Sequence, residues 1–301
     1  MTRLKVRHTT TYRYRQPVAF GEHRIMFRPR DSYDQRLLDA SLTIDPAPVS
    51  LHWMHDVFGN CVAVAHFLGR SEHLRFTCEI ELEHETGPVL EFPLSVYARD
   101  YPFSYDQEDL PDLLRCIERQ YPDRDNELAT WARGKVPPNG MATLELLELI
   151  TRSIHQDFTY VRREEMGTQT PLQTLRLRSG SCRDFALLMM EAVRALGFAA
   201  RFVTGYLYTP HRADGRTHAG GGSTHAWVQI YLPGAGWTEY DPTNGIIGSH
   251  DLIRVAVARD PVQAVPLWGT FTGFPGDSLG LAVEVEVTEV GSDEPALEPV
   301  G

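Results

Sequence analysis

Apolar and polar positions alternate from the start of the chain. In LKVRHTTTYRYR, Leu4, Val6, His8, Thr10, Tyr12 and Tyr14 fall on one side and mostly charged residues on the other, the two-residue period of a half-buried strand. HLRFTCEIELEHE repeats the pattern through Leu74, Phe76, Cys78, Ile80 and Leu82. SLHWMHDVFGNCVAVAHFL sets DVFGN between two apolar segments, a hairpin in which Gly59-Asn60 can take positive φ. Several short strands without a helix predict an antiparallel β-sandwich over residues 1 to 100, with no catalytic constellation in it.

Beyond it the period changes. EDLPDLLRCIERQY and DNELATWARG read as short amphipathic helices, and Leu144, Leu147, Ile150, Ile154 and Phe158 recur at helical spacing. FTYV is a brief strand. A further helix opens at Cys182, with Phe185, Leu188, Met189, Ala192, Val193 and Leu196 as its buried face and Gly197 as its C′ residue. ARFVTGYLY, THAWVQIYL and GWTEYDP read as strands between glycine-rich turns, and LGLAVEVEVTEV alternates strongly near the end. Helices followed by antiparallel strands predict a second, α+β domain over 101–290, and GSDEPALEPVG at 291–301 reads as a disordered tail.

Composition adds exclusions. The chain has 301 residues, which favours two moderate cores over one large one. Its formal net charge is −11 with no stretch rich in lysine or arginine, which argues against nucleic acid as a partner. No apolar run approaches a membrane span, and the N-terminus is too polar for a secretory signal. The four cysteines (Cys61, Cys78, Cys116 and Cys182) are scattered with no CxxC pair, the usage of reduced thiols in a cytoplasmic protein.

One of these cysteines is out of place for a core residue. Ser181 is a good N-cap with Asp184 three residues on, so Cys182 falls at the first helical position. Free backbone N–H groups and the positive end of the helix stabilise a thiolate there, and the same amides can hold an oxyanion formed on an attacked carbonyl. The alternative is a buried structural thiol, the reading kept for Cys61, Cys78 and Cys116. A nucleophile needs a base, and the base an orienting group. His225 opens THAWVQIYL and Asp241 closes GWTEYDP, two strands of a hairpin turning at Pro233-Gly234-Ala235-Gly236. With an odd connection, or one bulge, Asp241 falls opposite Trp227 and diagonally adjacent to His225; an even connection separates them to opposite faces. The odd case leaves Ala226, Val228, Ile230 and Leu232 as one apolar face and His225, Trp227, Gln229, Glu239 and Asp241 as the other. Taken singly, His225 also reads as a strand-end surface histidine and Asp241 as a turn residue before Pro242.

The segments GSCRDFA and THAWVQIYLPGAGWTEYDPTNG, in the order Cys, His, Asp, closely resemble the transglutaminase-like superfamily, circularly rearranged relatives of papain-like cysteine proteases. TTYRYRQPVAFGEHRIMFRPR through DVFGN resembles the N-terminal β domain of its bacterial members. The resemblance implies a papain-like core with Cys182 as nucleophile, His225 as base and Asp241 as orienter. It further implies one oxyanion donor from the amide of Cys182 and a second from an upstream side chain, here Gln156 or Tyr160. Beside these, Asp184 reads as the helix cap in preference to a substrate contact, Trp227 falls opposite Asp241, and Asn244 in DPTNG, which the resemblance also matches, steadies the Asp241 turn. His211, His218 and His225 are evenly spaced, but the segment is glycine-rich and is read as a mobile loop or lid, not a metal site. Arg162 and Arg163 with Glu164 and Glu165 read as a solvated loop. The expected activity is cysteine-dependent hydrolysis of a peptide or protein amide through a thioester, without cofactor or metal. A protein-glutamine acyltransferase and a non-catalytic scaffold that retains the three residues are the alternatives, and the sequence leaves the oligomeric state open.

Overall fold

The computed structural model describes residues 1–85, 93–163, 167–209, 219 and 221–290. The expected lid with His211 and His218, the pair Glu164 and Glu165, and the tail at 291–301 lie outside them. The alternating N-terminal segments form β1 (Thr2–Ile25), β2 (Gln35–Asp45), β3 (Ser50–His55), β4 (Cys61–His66) and β5 (Ser71–His84). β1 is long enough to serve two sets of partners. Its first half pairs with β5, and its last residues, His23 to Ile25, pair with β4. The register shifts between Arg13 and Val18, where Pro17 has no N–H to give to a ladder. The sheet turns there.

After β6 (Asp100–Tyr101) come α1 (Leu110–Ile117), α2 (Glu127–Arg133), β7 (Met141–Ala142), α3 (Thr143–Asp157), β8 (Thr159–Tyr160), α4 (Pro171–Leu177), β9 (Ser179–Gly180) and α5 (Cys182–Ala195). The chain continues through β10 (Ala200–Leu207), β11 (His225–Leu232), β12 (Gly236–Asp241), β13 (Ile246–Ile247), β14 (Leu252–Ala258), β15 (Leu267–Thr272) and β16 (Ser278–Glu289). The last two strands leave the region expected to form the second domain and return to β1, β16 along its first half and β15 along its second. The result is one seven-stranded sheet, ordered β2-β5-β1-β4-β3 with β15 and β16 joined to β1. This corrects the expected two-sheet sandwich: because β1 is shared by both halves, the strands bend as one continuous sheet instead of separating into two.

A second, five-stranded antiparallel sheet runs β13-β12-β11-β10-β14. Ala226, Val228, Ile230, Leu232 and Tyr240 on one of its faces pack with α5. Tyr206, Ile253 and Val255 join Leu4, Val6, Phe27 and Phe76 in the core shared with the N-terminal sheet. α5 is therefore a central helix. Every residue from Asp184 to Arg194 is buried, more than the single apolar face its period predicts, because α2, α3 and α4 cover the side away from the sheet. Its internal charges are satisfied. Glu191 pairs with Arg194 at 2.9 Å and accepts from the backbone N–H groups of Gln120 and Tyr121.

The DVFGN turn does more than reverse the chain. Gly59 takes φ +73°, and Asp56 accepts from the backbone N–H groups of Phe58 and Asn60. That frees the buried Asn60 side chain to donate to the Val257 carbonyl at 2.7 Å and accept from its N–H at 2.9 Å. Asn60 thereby fixes the N-terminal sheet to β14.

Candidate active site

α5 begins where the sequence places it. The Asp184 carboxylate turns back and accepts from both the backbone N–H and the hydroxyl of Ser181, each at 2.8 Å. Its other oxygen accepts from the Gln169 N–H at 2.7 Å, and Arg163 donates to both oxygens at 2.9 and 3.0 Å. Gly180 makes the fold-back possible, since a Cβ there would approach Asp184 Cβ to 2.8 Å. Asp184 is thus a fully enclosed cap, and Arg163 is anchored on it and not part of a solvated loop. The signal for Arg163 was weak, because four successive charged residues look like surface. Cys182 sits at the mouth of this capped turn with 7 % exposure.

The hairpin supplies the facing pair. Leu232 pairs with Gly236 and Val228 with Tyr240, so the connection is the three residues 233–235 and the odd register is the one that forms. Gly234 takes φ +88° in the turn, a conformation that favours glycine. His225 and Asp241 consequently meet, Nε2 donating to Oδ2 at 2.8 Å with both side chains fully buried. Asp241 also accepts from the Thr243 N–H and from Asn244 Nδ2, each at 2.8 Å. Burial alone would lower the proton affinity of His225, but the Asp241 carboxylate and the nearby Cys182 thiol outweigh it and lift the imidazole from 6.5 to about 10. Burial works against the Asp241 carboxylate, and His225, Asn244 and the Thr243 N–H overcome it and hold the carboxyl below its ordinary range. A carboxylate only accepts, so it keeps a proton on Nε2. Nδ1 is buried without a hydrogen-bond partner among the described residues, and Cys182 is close enough to raise the proton affinity of the ring.

Tyr160 and Gln156 separate clearly. β8 pairs in parallel with β9, so Tyr160 stands opposite Gly180, two residues before Cys182. Its phenol is held above its usual range by burial and by the charges of Cys182 and Asp241, with Arg162 opposing. Gln156 lies exposed in the last turn of α3. Trp227 is fully buried, its ring 6.0 Å from that of His225 at an interplanar angle of 29°. Asn244 does two jobs, since it also accepts from the Ala219 N–H at 2.8 Å and so ties the chain just before β11 to the Asp241 turn. His155 was not singled out by spacing; its Nδ1 lies 2.8 Å from the Thr243 carbonyl, securing that turn to α3. Among the described residues, no three His, Cys, Asp or Glu side chains converge as metal ligands would.

Residues 4–83 match the family described as the bacterial transglutaminase-like N-terminal region, and residues 131–242, which contain Cys182, His225 and Asp241, match the transglutaminase-like superfamily. The chain is similar to an uncharacterized protein of Mycobacterium tuberculosis, 28 % identical over 296 residues that cover 94 % of this chain and 92 % of that one. An uncharacterized Mycobacterium leprae protein is 26 % identical over 95 % of this chain and 99 % of its own length. Among solved structures, a Cytophaga hutchinsonii protein described as a "Putative Cysteine Protease" superposes with a TM-score of 0.67 at 19 % identity, over 97 % of this chain and 92 % of that one. That likeness is one of fold.

Proposed function

From the matches of residues 4–83 to the bacterial transglutaminase-like N-terminal region and of 131–242 to the transglutaminase-like superfamily, we propose that the chain is a member of that superfamily and a cysteine-dependent amide hydrolase acting on a peptide or protein substrate. The observation that carries this reading is the buried His225–Asp241 pair, 2.8 Å apart, beside the thiol at the start of α5. In this reading Cys182 is present as a thiolate paired with the imidazolium of His225. The sulfur attacks the substrate carbonyl carbon, forming a C–S bond as the carbonyl electron pair moves onto oxygen. The free N–H groups at the start of α5 and the Tyr160 hydroxyl stabilise that oxyanion. Collapse breaks the C–N bond, and His225 gives its proton to the departing amine. Water then attacks the thioester, His225 takes a proton from it, and the acid leaves with Cys182 restored. Asp241 holds the ring and its positive charge throughout.

The test is capture of the acyl-enzyme. A nitrophenyl ester of a short N-blocked peptide is mixed with the full chain, quenched in acid and mapped by mass spectrometry, with and without a fluorescent primary amine. The proposal expects the acyl group on Cys182, sensitive to hydroxylamine, absent in Cys182→Ala, and released to water even with the amine present. Acylation spread over all four cysteines would overturn the nucleophile, and transfer chiefly to the amine would overturn hydrolysis in favour of acyl transfer.

A further inference from the structure

A buried chain of ion pairs and hydrogen bonds runs from the segment entering β2 of the N-terminal region to Trp227, beside the imidazole. Arg254 on β14 donates through Nη2 to Asp34 Oδ1 at 2.9 Å and to the Ser32 hydroxyl at 3.0 Å, and its backbone N–H to Gln35 Oε1 at 2.8 Å. Its Nη1 donates to Glu239 Oε1. Glu239 also accepts from Gln229 Nε2 at 2.9 Å, while its second oxygen accepts from the Trp227 indole N–H at 2.6 Å. Asp34, Gln229 and Glu239 are all buried, and Trp227 has no exposure at all. A buried ion pair is on average no more stabilising than apolar packing of the same volume. Stability alone therefore does not explain its place between the sheets.

Its far end explains it. Gly205 on β10 pairs with His225 on one side and with Arg254 on the other, so the three lie in one row across the sheet. The indole of Trp227 crosses that row, and a Cβ on Gly205 would come within 2.7 Å of Trp227 Cη2. One end of the indole is fixed by Glu239 while its face lies along the His225 ring. We propose that the N-terminal region is a positioning part of the active site: Asp34 fixes Arg254, Arg254 fixes Glu239, and Glu239 holds Trp227 against the His225 imidazole. The proposal rests on the reading of His225 as the base. It makes Asp34, Arg254 and Glu239 positioning residues that act through Trp227, and it gives the N-terminal sheet a part in the chemistry without contact with substrate.

The near-isosteric variants Asp34→Asn and Glu239→Gln test it in the full chain, with Arg36→Gln, from an exposed pair with Glu83, as the control. Two readouts are taken. One is the NMR positions of the Trp227 indole N–H and the His225 ring. The other is the rate of Cys182 alkylation by iodoacetamide from about pH 5 to 11, a range that spans both the ordinary histidine value and the raised one of His225. Both variants should move both sets of resonances and slow alkylation about tenfold, within the hundredfold cost of a 1 Å misplacement. Glu239→Ala, which removes the acceptor for the indole, should be slower than Glu239→Gln, and Arg36→Gln should change nothing. Folded Asp34→Asn and Glu239→Gln proteins with unmoved resonances and wild-type alkylation would overturn the proposal. If Cys182 is unreactive even in the wild type, the proposed function fails on its own, and the resonances still decide whether Asp34 positions the ring.

Discussion

Replacing Asp241 by asparagine should cost several kcal/mol of stability at neutral pH, and the cost should depend on the protonation of His225. The carboxylate accepts three hydrogen bonds, from His225 Nε2, Asn244 Nδ2 and the Thr243 N–H, all at 2.8 Å. An amide has one oxygen, so whichever way it turns its NH₂ group faces at least one of these donors. A buried donor left unsatisfied costs about 1–3 kcal/mol, and loss of a hydrogen bond to a charged group another ~1.5–3 kcal/mol. The sum sits near the roughly 3–5 kcal/mol measured when one partner of a buried ion pair is removed. His225 is raised from 6.5 to about 10, so its contribution is fully present below pH 6.5 and disappears as pH rises through about 10. Asp241 is held below 3.8, so its contribution is present above 3.8 and disappears as pH falls through the lower, folded value. Urea unfolding of wild type and variant, followed by far-UV circular dichroism, should show the full gap at pH 6, most of it at pH 7, and above about pH 10 only the part due to the Asn244 and Thr243 hydrogen bonds. An absent gap at pH 7, or an equal gap at pH 6 and above about pH 10, would refute the reasoning.

Two further outcomes follow from other contacts. Tyr160→Phe should slow acylation of Cys182 by about a hundredfold, the lower bound for loss of an oxyanion donor, while Gln156→Ala leaves it unchanged; single-turnover kinetics with the nitrophenyl ester measures both. Asn60→Ala strands the N–H and carbonyl of Val257 in the interface and should lower stability by about 2–4 kcal/mol, read as a shift of the urea midpoint with catalytic chemistry preserved in the remaining folded protein.

The sequence carried the local geometry well. Alternation in β1 and β5, the cap before Cys182 and the parity of the 225–241 hairpin each depend on neighbours within a few residues, where backbone periodicity leaves few choices. Partners distant along the chain were not legible. LGLAVEVEVTEV announces a strand with two faces but nothing about which strand it joins, so its return to β1, and the single curled sheet that results, appear only in the structure. α4 has too few turns to stand out by period, although Thr170 and Gln173 form a capping box at its start with Pro171 as its first residue. Arg163 looked like solvated surface because its partner, the free side of the Asp184 carboxylate, exists only once Asp184 has folded back over Gly180. Glu239 falls on the face its strand period predicts, yet its link to Asp34 runs through Arg254, past β11 and β10 to β14 and on to the segment before β2.

The relative reactivity of the four thiols tests the central claim most directly, because exposure and chemistry predict opposite orders. Cys61 and Cys116 are partly exposed, whereas Cys78 and Cys182 are buried. Burial also pushes the Cys78 thiol up to about 12 and raises that of Cys116, which makes both poorer nucleophiles. Brief treatment with iodoacetamide at neutral pH, followed by peptide mapping, should modify Cys182 first and Cys61 after it, with the Cys182 advantage lost in His225→Ala. Labelling that follows exposure, with Cys61 ahead of Cys182 in the wild type and no change on removing His225, would contradict the account of Cys182 as a histidine-activated nucleophile.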